Sequence, residues 1–178
     1  MITSRVAILA AVIATTATAP AAQAPAETTV VLVRHAEAVS DAGSDPVLGE
    51  SGIERARALA SVLRDAGVTA ILTTHYKRTI MTGEPLSAAV NAPLVPLGIK
   101  GGAAGLDAYV REVVQSVHTK YAGGMVVVVG HSNTVPALVK ALSGVDVGEI
   151  AHDSYDALFV VTTSAPGRGR LVRARYGR

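Results

Sequence analysis

Residues 125–130 read MVVVVG, four valines in a row with no polar residue on either side of the pleat. A strand turns alternate side chains to opposite faces, so a run that is apolar on both faces must be covered on both. That requirement points to the middle of a parallel sheet with helices above and below it. Two more runs have the same character, TTVVLV at 28–33 and VTAILTT at 68–74. Helical spacing fills the intervals. SGIERARALASVLRDAG at 51–67 sets Ile53, Ala56, Ala60 and Leu63 on one side, leaves Arg55, Arg57 and Arg64 on the polar side, and closes on Gly67. Residues 77 to about 90 and 106–120 read as two further helices. SNTVPALVKALSG reads as another, capped by Ser132 or Asn133, with Pro136 in its first turn and Gly144 at its end. APLVPL at 92–97 has room only for a short or edge strand, because proline donates no ladder hydrogen bond. DALFVVTTS and RLVRARYG flank the turn-rich APGRG and read as a terminal hairpin. The expected fold is a three-layer α/β/α sandwich with a mostly parallel central sheet and a C-terminal antiparallel hairpin.

The beginning of the chain stands apart from this pattern. Met1 to Arg5 carries one positive charge, VAILAAVIATTATA is an apolar stretch of fourteen, and PAAQAPAE is small residues and prolines. This is the layout of a secretory signal peptide over residues 1–24, with cleavage within about residues 19–26, and the stretch is short for a membrane span. The folded domain is then residues 27–178, exported to a periplasm or secreted, with no stable membrane association after cleavage. Without residues 1–24, which hold Arg5 and no acid, fifteen basic residues face fourteen acidic ones. That balance gives no support to a nucleic-acid partner. The chain has no cysteine, which excludes disulfides and thiolate chemistry. Five of its sixteen basic residues fall in the last eleven positions, Arg168, Arg170, Arg173, Arg175 and Arg178. A solvated outer face that discourages edge pairing accounts for them more economically than an anionic partner surface.

In open α/β sheets, ligands gather beyond the carboxyl ends of the strands. VVLV delivers Arg34 and His35 there, AILTT is followed within four residues by Arg78, and VVVVG delivers His131. Three strands thus aim two imidazoles and two guanidiniums at one edge of the sheet, with Glu37 placed to accept hydrogen bonds that hold the loop. Transfer of a phosphoryl group is the chemistry that wants this set. Guanidinium forks match the oxygens of a phosphomonoester dianion in charge and shape. One imidazole can attack phosphorus in line and form a phosphohistidine, dividing one displacement into two. The other can donate to the phosphoryl oxygens, and the helix that starts after GHSNT offers backbone N–H groups to an anion. The scheme needs no metal and no cofactor. The five histidines are scattered, without a His-x-x-x-His pair.

LVRHAE, TTHYKRTIMTGEPL and VVVVGHSNTVPALVKAL, in that order and spacing, resemble the histidine phosphatase superfamily, also called the phosphoglycerate mutase-like fold. The likeness covers essentially the whole chain after the leader, including DPVLGESGIERARALASVL. It implies that His35 is the phosphoryl-accepting nucleophile, that Arg34 and Arg78 clamp the phosphate, and that His131 completes the pocket. It also implies a small phosphorylated substrate or a phosphoprotein. Departures from the pattern accompany the match. Asp41 stands where many members carry a neutral phosphate ligand, often Asn, and a carboxylate there would repel a dianion. Ser132 follows the second histidine in place of Asp, and the region that supplies a general acid in mutase-like members offers only Asp107, with Glu84 a weaker candidate. The short chain is similar to compact members that lack a dedicated acid and act on good leaving groups such as phosphohistidine or aryl phosphates.

Two other functions fit parts of the sequence. A phosphate-group binding module without turnover would share the motifs and explain the missing acid. A serine hydrolase would use Ser132, because VVVVGHSNT has the strand, Gly-x-Ser and helix order of a nucleophile elbow, but Thr134 replaces the final glycine and only His152 remains downstream as a base.

Overall fold

The structure is a computed structural model and describes residues 26–40 and 43–177. The leader therefore lies outside the described residues, as does Asp41. Ten elements follow in order: β1 (Thr28–Arg34), α1 (Glu50–Leu63), β2 (Val68–Thr74), α2 (Lys77–Val90), β3 (Leu94–Leu97), α3 (Gly102–His118), β4 (Met125–Gly130), α4 (Thr134–Ser143), β5 (Ala157–Thr163) and β6 (Arg170–Arg175). The six strands form one sheet in the order β3-β2-β4-β1-β5-β6. Strands β1 to β4 pair in parallel, β5 runs antiparallel to β1, and β6 returns antiparallel to β5. The expected sandwich with its C-terminal hairpin is the fold observed. Among the described residues, no helix is long and apolar enough to cross a membrane.

The valine run forms β4 and sits between β2 and β1, with Val126 to Val129 fully buried. Its residues alternate between two cores. Val126 and Val128 join Val30, Leu32 and Leu72 beneath Tyr109 and Val113 of α3 and Leu138 and Leu142 of α4. Val127 and Val129 join Val31, Val33 and Ile71 beneath Leu59 and Leu63 of α1 and Leu86 of α2. A run apolar on both faces is what two helical layers require, and each buried valine or leucine stabilises by about 1.5–3 kcal/mol.

The boundaries depart from expectation at two helices, α1 and α3. Helix α1 ends at Leu63, and Gly67, at φ +74°, belongs to the turn into β2. Helix α3 starts at Gly102, four residues ahead of the apolar periodicity. The glycines of GGAAG carry no periodic signal, yet Gly105 lets this first turn lie on the chain before it, since a Cβ there would sit 2.0 Å from Lys100 O. Helix α4 has Asn133 at its N-cap position, but the Asn133 side chain makes no capping bond. Thr134 Oγ1 instead accepts from the His131 N–H at 2.7 Å. Gly144 ends α4 in the left-handed region, as expected.

One close approach sets the loop after β1. A Cβ on Gly52 would sit 2.1 Å from Glu37 O, so α1 lies directly on that loop's backbone. Replacing Gly52 by Ala should cost about 1–3 kcal/mol by overpacking, read from the urea midpoint. The neighbouring exposed Ser51→Ala should stay within about 0.5 kcal/mol. Equal midpoints for the two variants would contradict this packing.

Candidate active site

The carboxyl ends of β2, β4 and β1 lie side by side. Arg34 pairs with Gly130 and Thr73 with Val129, so the residues that follow leave the sheet at one level. The His35 N–H still bonds Gly130 O at 2.8 Å, continuing the ladder one step. His35 and His131 therefore meet edge to face, with ring centroids 5.3 Å apart. Arg78, from the first turn of α2, lies over the Tyr76 ring at 4.5 Å and brings Nη2 to 3.5 Å from His131 Nδ1. Arg34, His35, Arg78, His131 and Ser132 line one cavity of about 550 Å³, the residues that the sequence reading had singled out for this site. Tyr76, Asn133 and His152 extend its wall, and the segment Ile99–Gly102 with Leu106 closes its far side.

Hydrogen bonds fix the tautomers of both imidazoles. His35 Nδ1 lies 2.8 Å from Ala36 O. A carbonyl only accepts, so Nδ1 carries the proton and Nε2 keeps its lone pair. His131 Nε2 lies 2.9 Å from Thr74 Oγ1, which in turn meets Thr79 Oγ1 at 2.9 Å. Thr79 donates its hydroxyl proton to the carbonyls of Thr74 and Tyr76, so Thr74 donates to Thr79 and accepts from His131 Nε2–H. The lone pair of His131 then sits on Nδ1, facing the Arg78 guanidinium, which only donates. Burial is the main cause that lowers the His35 pKa to about 4, with the Arg78 and Arg34 charges adding to it against the bond to Ala36 O. Burial, then the His35 charge and the Arg78 charge, lower that of His131 to about 3. Both imidazoles are neutral at neutral pH.

The two arginines are held differently. Arg34 Nη1 donates to the carbonyls of Ala151, His152 and Ser154 at 3.0, 2.8 and 3.1 Å, and its guanidinium lies 4.2 Å from the Tyr155 ring centroid. It thus ties the segment before β5 to the site, while its Nε is buried without a partner. Arg78 Nη1 lies 3.8 Å from Asp45 Oδ1, and Asp45 also accepts from the Lys77 N–H at 3.0 Å. Asp45 is not part of the cavity lining, so it orients Arg78 from behind.

A second set of contacts positions the loop that carries His35. Thr82 Oγ1 accepts from the Ala36 N–H at 3.0 Å and donates to Arg78 O at 2.7 Å, joining that loop to α2. Glu37 takes both oxygens to Arg55, with contacts of 2.7–2.9 Å. Burial pushes the Glu37 pKa up, but the bonds from Arg55 outweigh it and hold the carboxyl below its usual range. Arg55 also donates to the carbonyls of Tyr176 and Gly177, so it clamps two segments to α1 and is no mere member of the solvated helix face. Glu37 has the loop-holding part expected of it.

The remaining candidates fall outside this arrangement. Asp107 and Glu84 are exposed and neither lines the cavity. Among the described residues no carboxylate lines it at all, and no group of three or more His, Asp or Glu could hold a metal ion. Ser132 reaches the cavity but has no hydrogen bond to His152 or His131; the His131 Nε2 is committed to Thr74. The order of a nucleophile elbow is present without its base. Thr74, Tyr76, Thr82 and Asp45 were not marked by the sequence reading. Thr82 alone had a usable signal, standing four residues after Arg78 and so on the same helix face.

Residues 30–98 match the model of the histidine phosphatase superfamily (branch 1). No curated protein matches the chain in sequence. Among solved structures, the protein histidine phosphatase SixA complexed with tungstate is similar with a TM-score of 0.66 at 21% identity, covering 83% of this chain and 96% of that one. A mycobacterial glucosyl-3-phosphoglycerate phosphatase is similar with a TM-score of 0.59 at 20% identity, covering 82% and 97%. A phosphoglycerate mutase from Bacillus anthracis is similar with a TM-score of 0.63 at 14% identity, covering 86% and 94%. The stretch that holds Arg34, His35 and Arg78 thus matches the family model of the histidine phosphatase superfamily, and the chain shares the fold of these solved structures over more than four-fifths of its length.

Proposed function

We propose that this chain is a metal-independent phosphomonoester hydrolase that works through a covalent phosphohistidine on His35. The observation that carries the reading is the His35 tautomer: a lone pair on Nε2, a low pKa, and two guanidiniums at the same cavity. Arg34, Arg78 and the polar start of α4 at Ser132 hold the phosphoryl oxygens, and His131 joins them once the arriving dianion favours its protonation at Nδ1. Nε2 attacks phosphorus, and the bond from phosphorus to the leaving oxygen breaks. Water then attacks the phosphohistidine, the P–N bond breaks, and inorganic phosphate leaves with His35 neutral again. The absence of a carboxylate from the described lining favours leaving groups that depart as stable anions, from a small phosphorylated molecule or a phosphoprotein. The same absence favours, as a second reading, a phosphate-group binding module without turnover. The leader adds export to this proposal.

Hydrolysis of an aryl phosphate by residues 27–178 separates the two readings. Turnover should persist in a chelator and vanish in His35→Ala, with phosphate trapped on the wild-type protein as an acid-labile, base-stable adduct. Arg78→Ala should lose roughly 100-fold or more in kcat, the effect of removing one preorganised donor. A folded wild type that binds tungstate but turns over no ester would select the binding module. An active His35→Ala variant would remove the nucleophile assignment.

The buried imidazoles also set a pH dependence of stability. Their folded-state pKa values, about 4 and about 3, lie below the unfolded 6.5, so over this range the unfolded chain binds protons that the folded one refuses. The contribution is complete above pH 6.5 and is lost as pH falls toward 4 and 3, by about 1.4 kcal/mol per pH unit for each imidazole. Tm should therefore drop from pH 6.5 to 4.5. Tungstate, a dianion that favours imidazolium, should reduce that drop. A drop that tungstate does not reduce would separate the acid lability from these two histidines.

A further inference from the structure

Beyond the phosphoryl-holding groups, the cavity has an outer wall that the reaction steps leave unused. It is built from the Tyr76 ring, the partly buried Ile99 and Leu106, and Lys100. The backbone that carries Lys100 is held on both sides: Ile99 N–H donates to His75 Nδ1 at 3.2 Å, and Lys100 O lies against Gly105 at the first turn of α3. Lys100 itself is exposed, and among the described residues no carboxylate comes within ion-pair distance of it. Asp45, which lies outside the lining, pairs with Arg78. Two guanidiniums match the charge of a phosphoryl dianion, so the lining carries a third cation, one with no ion-pair partner among the described residues. From this juxtaposition we infer that Lys100 is a specificity-determining residue, and that the preferred substrate is a phosphomonoester whose leaving group has an apolar or aromatic body and a second anionic group.

The inference deepens the phosphatase reading and rests on it for where the phosphoryl group sits. The wall gives the body of the leaving group two aliphatic side chains and one ring to lie against, and the flexible lysine stem brings the charge to the rim. A partly exposed charge pair of this kind is worth up to about 1 kcal/mol, roughly fivefold in affinity. It is screened by salt. An ordinary solvated lysine would show neither the preference nor its salt dependence.

Two non-hydrolysable probes that differ only in remote charge test this without relying on turnover, (4-carboxybenzyl)phosphonate and (4-carbamoylbenzyl)phosphonate. The wild type should bind the carboxylate about fivefold more tightly in low salt, and the preference should shrink as salt rises. Lys100→Gln should abolish the preference by weakening the carboxylate probe alone, and Lys100→Arg should retain it. Equal affinities in the wild type, or an equal loss for both probes in Lys100→Gln, would overturn the role of Lys100. If the charge preference is present but esters are not turned over, the role of Lys100 in selecting the bound phosphoryl ligand stands and the hydrolase reading fails. If neither phosphonate binds, the phosphoryl site falls and the inference falls with it.

Discussion

The pairing of β1 with β4 is the constraint on which the site depends. Arg34 opposite Gly130 places His35 and His131 one step past the same level, on neighbouring strands that run the same way. Alternation of polar and apolar residues normally punishes a slip of register. Here it has little hold, because a one-residue slip of β4 would replace valine by valine on both faces. The register is set at the strand ends. Thr29 N–H bonds Gly124 O at one end, and His35 N–H bonds Gly130 O at the other. Gly130 matters for a further reason: a Cβ there would sit 2.5 Å from Thr134 Oγ1, the atom that accepts from the His131 N–H. The residue that ends the valine run thus lets α4 close on the strand and fixes where the second imidazole starts.

Electrostatics then follow from burial. Two neutral imidazoles beside two guanidiniums give a cavity that is cationic without asking either histidine to take a proton in a place where burial disfavours it. The hydrogen-bonded chain from the Thr74 and Tyr76 carbonyls through Thr79 and Thr74 to His131 keeps the Nδ1 lone pair turned to Arg78. A dianion arriving between them would change the balance for His131, since the charged form would gain a partner that burial alone denies it. Nucleophile and donor are distinguished by which nitrogen each has committed to the protein.

This explains what the sequence could and could not disclose. Strands were legible because β-branched runs need two covers, and Arg34, His35, Arg78 and His131 were legible because they follow those runs. The start of α3 was not, because GGAAG owes its helical turn to the approach of Gly105 to Lys100 O, a tertiary contact. Thr74, Thr82 and Asp45 act through bonds to residues 57, 46 and 32 positions away, and nothing local marks such partners. Arg55 was misleading in the opposite sense. It sits on the polar side of α1 by spacing, yet its guanidinium is committed to Glu37 and to two carbonyls near the chain's end. Asp107 was the nearest acid in the right interval, but the one-residue offset from Leu106 turns it to solvent while Leu106 lines the cavity.

The two arginines are equivalent in a motif and unequal in the fold. Removing the Arg34 guanidinium would take a donor from the phosphoryl group and also leave the carbonyls of Ala151, His152 and Ser154 without it. These bonds are only partly buried, so water can take up the carbonyls, but the segment that leads into β5 would lose its tie to the sheet. Any loss of activity would then mix chemistry with the position of the cavity wall, which includes His152. Arg78 has a simpler attachment, an ion pair of 3.8 Å with Asp45 and a stacking contact with Tyr76. The loop it reaches through Asp45 keeps a second tie, the Lys77 N–H bond to the same carboxylate. A kinetic effect at Arg78 therefore reports on the phosphoryl group itself, whereas one at Arg34 reports on the group and on the wall that surrounds it.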